Sequence, residues 1–155
     1  MTVTAGKDYA VARKTTWVFE TGVGDATGVI TRQYVFIFPH KAIGGSGRKL
    51  SESTYSIGGR KPAEAIAELL ADPATTPETL DDKLVDWSGQ VKGPIVERLS
   101  AFPRVRIFKG FIRRSVALSK KAKGVDFGAT SIRPKKDELP AFLEFFKDHP
   151  QLEIK

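Results

Sequence analysis

The run YVFIF at residues 34–38 constrains this chain more than any other feature. Side chains of a strand point alternately to its two faces, so a continuous apolar run needs cover on both. The spacing predicts a strand over residues 28–39 (GVITRQYVFIFP), ended by Pro39. TTWVFE (15–20) is short, aromatic and β-branched, and reads as the strand before it. The glycine-rich TGVGDATG (21–28) between them reads as a hairpin loop. STYSIGG (53–59) reads as a further short strand closed by Gly58 and Gly59.

A helical block follows. In KPAEAIAELLAD (61–72), Pro62 suits a first turn and Ile66, Leu69 and Leu70 share a face with Ala63. In 75–90, Thr76 is a suitable N-cap, Pro77 a first helical residue, and Ser88 and Gly89 a stop. Leu80, Leu84 and Trp87 form its stripe, with Asp81, Asp82 and Asp86 assigned to a solvated face. A short helix is expected over GPIVERLS (93–100).

Strands then return. PRVRIFKG (103–110) alternates Val105 and Ile107 against Arg104 and Arg106. FIRRSVALS (111–119) sets Ile112, Val116 and Leu118 on one face, and 124–132 reads as a third strand. The last helix is expected over 137–150, capped by Asp137, with Leu139, Phe142, Leu143 and Phe146 as its apolar stripe. Pro140 is tolerable there because it falls in the first turn.

Segregated runs of strands and helices favour an α+β fold with antiparallel sheets, a helical segment at about 61–100 and a C-terminal helix packed on the sheet. The element order also resembles the general outline of pleckstrin-homology-like barrels, a curved barrel in which the helices of 61–100 would be an insertion. The length, 155 residues, suits one globular domain over 1–155, and 41% hydrophobic with 28% charged residues suits a packed core. No apolar run approaches the roughly 18 to 20 residues that span a bilayer, so no transmembrane segment is expected. The first residues lack the apolar stretch of a signal peptide, and there is no cysteine for a disulfide framework. A cytoplasmic location is the expectation.

The charge is uneven. Residues 101–136 carry 11 basic groups against 1 acidic, whereas 60–100 carry 5 against 8 and 137–155 carry 2 against 5. Within the basic stretch Arg104, Arg106, Lys109, Arg113, Arg114, Lys120, Lys121 and Lys123 interleave with Phe102, Phe108 and Phe111. Cations hold phosphates, and exposed aromatic rings stack on bases. Alternation would put Arg104, Arg106 and Phe108 on one face.

Signals for catalysis are thin. His40 follows Pro39 at the expected strand end, and His149 sits at the end of the last helix, where the dipole favours it. There is no GxSxG elbow. Two isolated histidines without cysteine do not make a zinc site, and GVGDATG lacks the alternating ligands of a calcium loop. No cofactor is implied. The glycines of IGGSGRKLSES (43–53) miss the phosphate-loop spacing, because Leu50 stands where a hydroxyl is required. That segment reads as a basic loop.

The expected function is therefore a non-enzymatic binding or accessory domain for an anionic partner: a nucleic acid, an anionic membrane surface or an acidic protein. Its residues would be Arg104, Arg106, Arg113, Arg114, Lys120, Lys121 and Lys123, joined by Arg48 and Lys49. The alternative is a small enzyme or ligand-binding protein in which His40, Lys41, Arg48 and Lys49 surround a phosphate or carboxylate. A protein–protein module or homo-oligomer is the third reading.

Overall fold

The computed structural model describes residues 2–19, 22–44, 56–91, 93–125 and 129–155. Their order is β1 (Tyr9–Phe19), β2 (Gly22–Thr31), β3 (Tyr34–Gly44), α1 (Pro62–Ala71), α2 (Pro77–Ser88), β4 (Ile95–Arg98), β5 (Arg104–Lys109), β6 (Arg114–Ser119), β7 (Thr130–Ile132), α3 (Leu139–Phe146) and β8 (Leu152–Ile154). A 3-10 turn, Leu99–Ala101, leads into β5. The fold is α+β. The first sheet is an antiparallel meander in the order β1-β2-β3-β4, and the second has the order β7-β6-β5-β8, with only β8 parallel to its neighbour. The two sheets do not close into a barrel, which corrects the pleckstrin-homology-like outline.

The apolar run of 34–38 is covered on both faces, as its pattern requires. Val35 and Ile37 face the second sheet, in a core with Val105, Ile107, Val116, Leu118 and Ile132, closed by Leu139, Phe142 and Phe146 of α3. Phe36 and Phe38 face the opposite way, into a core with Ile66 of α1 and Leu80 and Leu84 of α2. The first sheet is thus the middle layer, with α1 and α2 on one side and the second sheet and α3 on the other.

Several boundaries differ from expectation. Residues 28–39 are not one strand: they contain the end of β2, a two-residue connection at Arg32 and Gln33, and β3. The turn needs no glycine because the Thr31 hydroxyl accepts from the backbone N–H of Tyr34 (3.1 Å). Residues 22–28 belong to β2 rather than to a loop. One of their glycines has a packing reason: a Cβ on Gly28 would stand 3.2 Å from Ile132 of the second sheet.

Pro39 does not end β3. It faces Ala26, while Lys41 faces Asp25, so His40 is an extra, bulged residue. β4 pairs with Tyr34 to Ile37, so among the described residues Pro39 has no ladder partner on that side. Residues 95–98 form β4 rather than a helix, because the β-branched Ile95 and Val96 complete the edge of the first sheet; the helical segment ends at Ser88. Of the strand expected over 53–59, residues 53–55 lie outside the described residues, and Ile57 makes only a bridge to Arg60 around a turn. Within 124–132 the strand is limited to Thr130–Ile132, with 126–128 outside the described residues.

Capping chemistry fixes α2 as expected. The Thr79 N–H donates to the Thr76 hydroxyl (3.2 Å), and the Thr76 N–H donates to the Thr79 hydroxyl (2.8 Å). Asp81 is not on a solvated face; it is buried against Thr31, and its Oδ1 has no hydrogen-bond partner. Burial holds its carboxyl above the usual range, with Asp82 and Glu78 adding to the rise; the Thr31 hydrogen bond and Arg98 oppose it. A carboxyl with a raised folded value favours the native state below its unfolded pKa, and that contribution is lost as pH rises through the folded value. Asp81→Asn is therefore expected to raise Tm near neutral pH. The gain should shrink towards zero at about pH 3, below the ordinary carboxylate range. Thermal melts of both proteins across that range check the sign.

Candidate anion-binding surface

The second sheet divides the basic stretch by face and by end. Its register opposes Arg104 to Ser119, Arg106 to Ala117, Phe108 to Ser115 and Lys109 to Arg114. Val105 and Ile107 point into the core, so Arg104, Arg106 and Phe108 share the outer face, as alternation predicts. That face is not uniformly open. Arg104 is buried; its guanidinium donates to the Gly124 carbonyl, and its Nε has no hydrogen-bond partner. Arg104 is consequently not part of an exposed cationic surface. Arg106 is half-buried, and β8 sets Glu153 beside it.

Beyond Ser119, the exposed Lys120, Lys121 and Lys123 occupy one end of the sheet. Lys120 is paired with Glu97 of β4 at 2.8 Å. The other end is the β5–β6 hairpin, where Lys109 faces Arg114 across the last rung and residues 110–113 form the turn. Arg113 lies over the Phe108 ring, its guanidinium carbon 3.7 Å from the centroid, which keeps its polar edge towards water. The six residues of β6 separate the two ends by roughly 17 Å. Of the seven cations expected to act together, Arg104 is buried and Arg106 half-buried, and the other five are split: Arg113 and Arg114, joined by Lys109, at the hairpin, and Lys120, Lys121 and Lys123 opposite. Among the described residues, no acidic side chain forms an ion pair with Lys109, Arg113, Arg114, Lys121 or Lys123.

The hairpin also carries a residue that sequence reasoning misplaced. Ile112, expected on the inner face with Val116 and Leu118, is 99% exposed, and Phe111 beside it is 98% exposed. They form the apex of the turn. Gly110 was the signal: it interrupts the alternation between Ile107 and Val116, so the inward phase cannot be carried back to Ile112.

The alternative site at 40–49 is engaged in structure where it is described. Two bulges meet at Thr27: Arg13 and Lys14 of β1 oppose it on one side, and His40 is the extra residue on the other. The Thr27 hydroxyl donates to the Arg13 carbonyl (2.8 Å) and is hydrogen-bonded to His40 Nε2. Because that hydroxyl proton is committed, the imidazole is the donor to Thr27, and His40 serves the bulge. Lys41 has its backbone in β3, opposite Asp25. Arg48 and Lys49 lie outside the described residues.

His149 lies beyond α3. Its Nδ1 accepts from the Gln151 N–H (3.1 Å), and its ring is bonded to the Phe102 carbonyl. Burial lowers its pKa, with the Phe102 bond acting the other way. The Nδ1 bond thus orients the approach to β8. No group of three or more histidine, cysteine or acidic side chains suited to a metal occurs among the described residues, and no described helix is long and apolar enough to cross a membrane.

Comparison with protein-family models, with curated proteins and with solved structures returns no match.

Proposed function

We propose that the protein is a non-enzymatic binding domain that docks on an anionic macromolecular surface through the β5–β6 hairpin. The observation that carries this reading is the cluster of Lys109, Arg113 and Arg114 at one hairpin end, with no carboxylate partner among the described residues. Cations left unneutralised by their own fold retain their full attraction for an outside anion. Lys121 and Lys123 add long-range attraction from the far end, and Arg106 contributes less because Glu153 is its neighbour. A cytoplasmic location suits this reading, since anionic surfaces abound there.

Binding of this kind weakens steeply with salt. The protein is expected to be retained on heparin at low ionic strength and to elute as salt rises. Changing Lys109, Arg113 and Arg114 together to Gln should bring elution markedly forward, more than changing Lys121 and Lys123. Failure of the unaltered protein to be retained at low salt would refute the proposal.

A further inference from the structure

We infer that the anionic surface is a lipid bilayer, and that Phe111 and Ile112 enter its interface while Lys109, Arg113 and Arg114 hold the headgroups. This rests on the anion-binding reading and adds the class of partner. The observation behind it is the side-chain order along the hairpin. The apex is apolar and almost wholly in water, Phe111 at 98% and Ile112 at 99% exposure. Immediately behind it every charged residue is a cation, with none acidic between Phe102 and Val125.

The cations also surround the apex. Lys109 and Arg114 follow the parity of Ile107 and Val116 on the inward side, whereas Arg113 covers Phe108 on the outer face. At the rise of a strand they stand about 3 to 7 Å behind the tip. That offset matches an interface in which apolar groups sit roughly 5–10 Å into the headgroup–acyl boundary and phosphates lie above them. Lysine and arginine stems can follow the apolar residues inward while their charges remain at phosphate depth.

Nucleic acid fits less well. A base can stack on Phe111, but Ile112 has no π face to offer, and its complete exposure would bring nothing. A folded acidic protein would need a pocket for the apex ringed by carboxylates. A bilayer accepts both side chains without a preformed cavity, and its anionic headgroups complement the ring of cations.

The test uses sedimentation with vesicles, together with the heparin column. The unaltered protein is expected to sediment with vesicles of phosphatidylcholine and phosphatidylserine in equal parts and to remain in solution with phosphatidylcholine alone. Phe111→Ser with Ile112→Ser should weaken vesicle binding at least about tenfold while heparin elution stays unchanged. The Lys109, Arg113 and Arg114 glutamine variant should be weakened in both, eluting markedly earlier from heparin and binding vesicles less. Because the chain has no cysteine, Ile112→Cys gives a single site for an environment-sensitive fluorophore. Its emission should shift to the blue on vesicles, whereas a label at Lys123→Cys should not respond. Unchanged vesicle binding by the double serine variant, or a label at 112 that stays in water on bound vesicles, overturns the bilayer inference and leaves the anion-binding reading standing. Retention on duplex DNA with no vesicle binding also overturns it. Loss of heparin and vesicle binding in the unaltered protein removes both.

Discussion

Phe36→Ala is expected to destabilise the protein by about 3–5 kcal/mol, read as a large drop in the urea midpoint. Phe36 is fully buried, and its ring lies 5.8 Å from that of Phe38 and 5.4 Å from that of Tyr34. These rings, with Ile66, Leu80 and Leu84, are what joins α1 and α2 to the first sheet. Removing the central one leaves a cavity that flanking aromatics on the same rigid strand cannot fill. The loss is a large share of the roughly 5–15 kcal/mol that holds a domain folded. Phe111→Ala is the matched control: the same substitution at a fully exposed ring should fall within about 0.5 kcal/mol of the parent. A loss of less than about 1 kcal/mol at Phe36 would mean that the helices do not bury this face.

The same run shows why parts of the fold were legible from the sequence. Residues 34–38 announce cover on two sides through side-chain chemistry alone, and α2 announces its ends through Thr76, Pro77 and Gly89. Both are local signals, settled within a few residues. What escaped was set by distant partners. Pro39 looked like a stop, but β4 ends its pairing at Ile37 and a bulge absorbs the imino acid. Gly28 looked like part of a loop, but its missing side chain makes room for Ile132, over a hundred residues away. The turn at Arg32 and Gln33 carries no glycine, proline or asparagine, since Thr31 closes it with a side-chain oxygen. Asp81 looked solvated because its neighbours on α2 are acidic, whereas its surroundings come from the β2–β3 turn.

The candidate surface was legible as charge density but not as geometry. Counting located the basic stretch, and parity placed Arg104, Arg106 and Phe108 together on one face. Parity could not show that the 120–125 segment brings the Gly124 carbonyl onto Arg104, or that Lys120 is bound to Glu97. Nor could it show that one hairpin places three cations at one end of the sheet and three lysines at the other. The apolar apex followed only once the turn was known to begin at Gly110. Exposure is a property of the whole surface, and Ile112, apolar in a strand-like run, read first as core.

Glu138→Ala is expected to cost about 2–4 kcal/mol, because one buried carboxylate serves three donors in two elements. Its Oε2 accepts from the Arg13 N–H (2.9 Å) and from Arg13 Nε (3.2 Å), and its Oε1 accepts from the Lys135 N–H (2.9 Å). Glu138 rather than Asp137 organises the start of α3, although it makes no side-chain cap; Asp137 instead faces the outer nitrogen of Arg13 at 3.4 Å. The Arg13 amide belongs to the β1 bulge, whose irregular ladder cannot offer it a regular strand partner. Truncation leaves two backbone N–H groups without acceptors in a site where the Glu138 side chain is only 6% exposed. It should also loosen α3 from β1, which amide exchange in residues 139–146 would report before global unfolding. Asp137→Ala serves as the comparison. It removes an ion pair whose partners are 55% and 70% exposed, and should change stability by less than about 1 kcal/mol. Equal losses in the two variants would show that charge near Arg13, not the buried pair of backbone bonds, holds the helix in place.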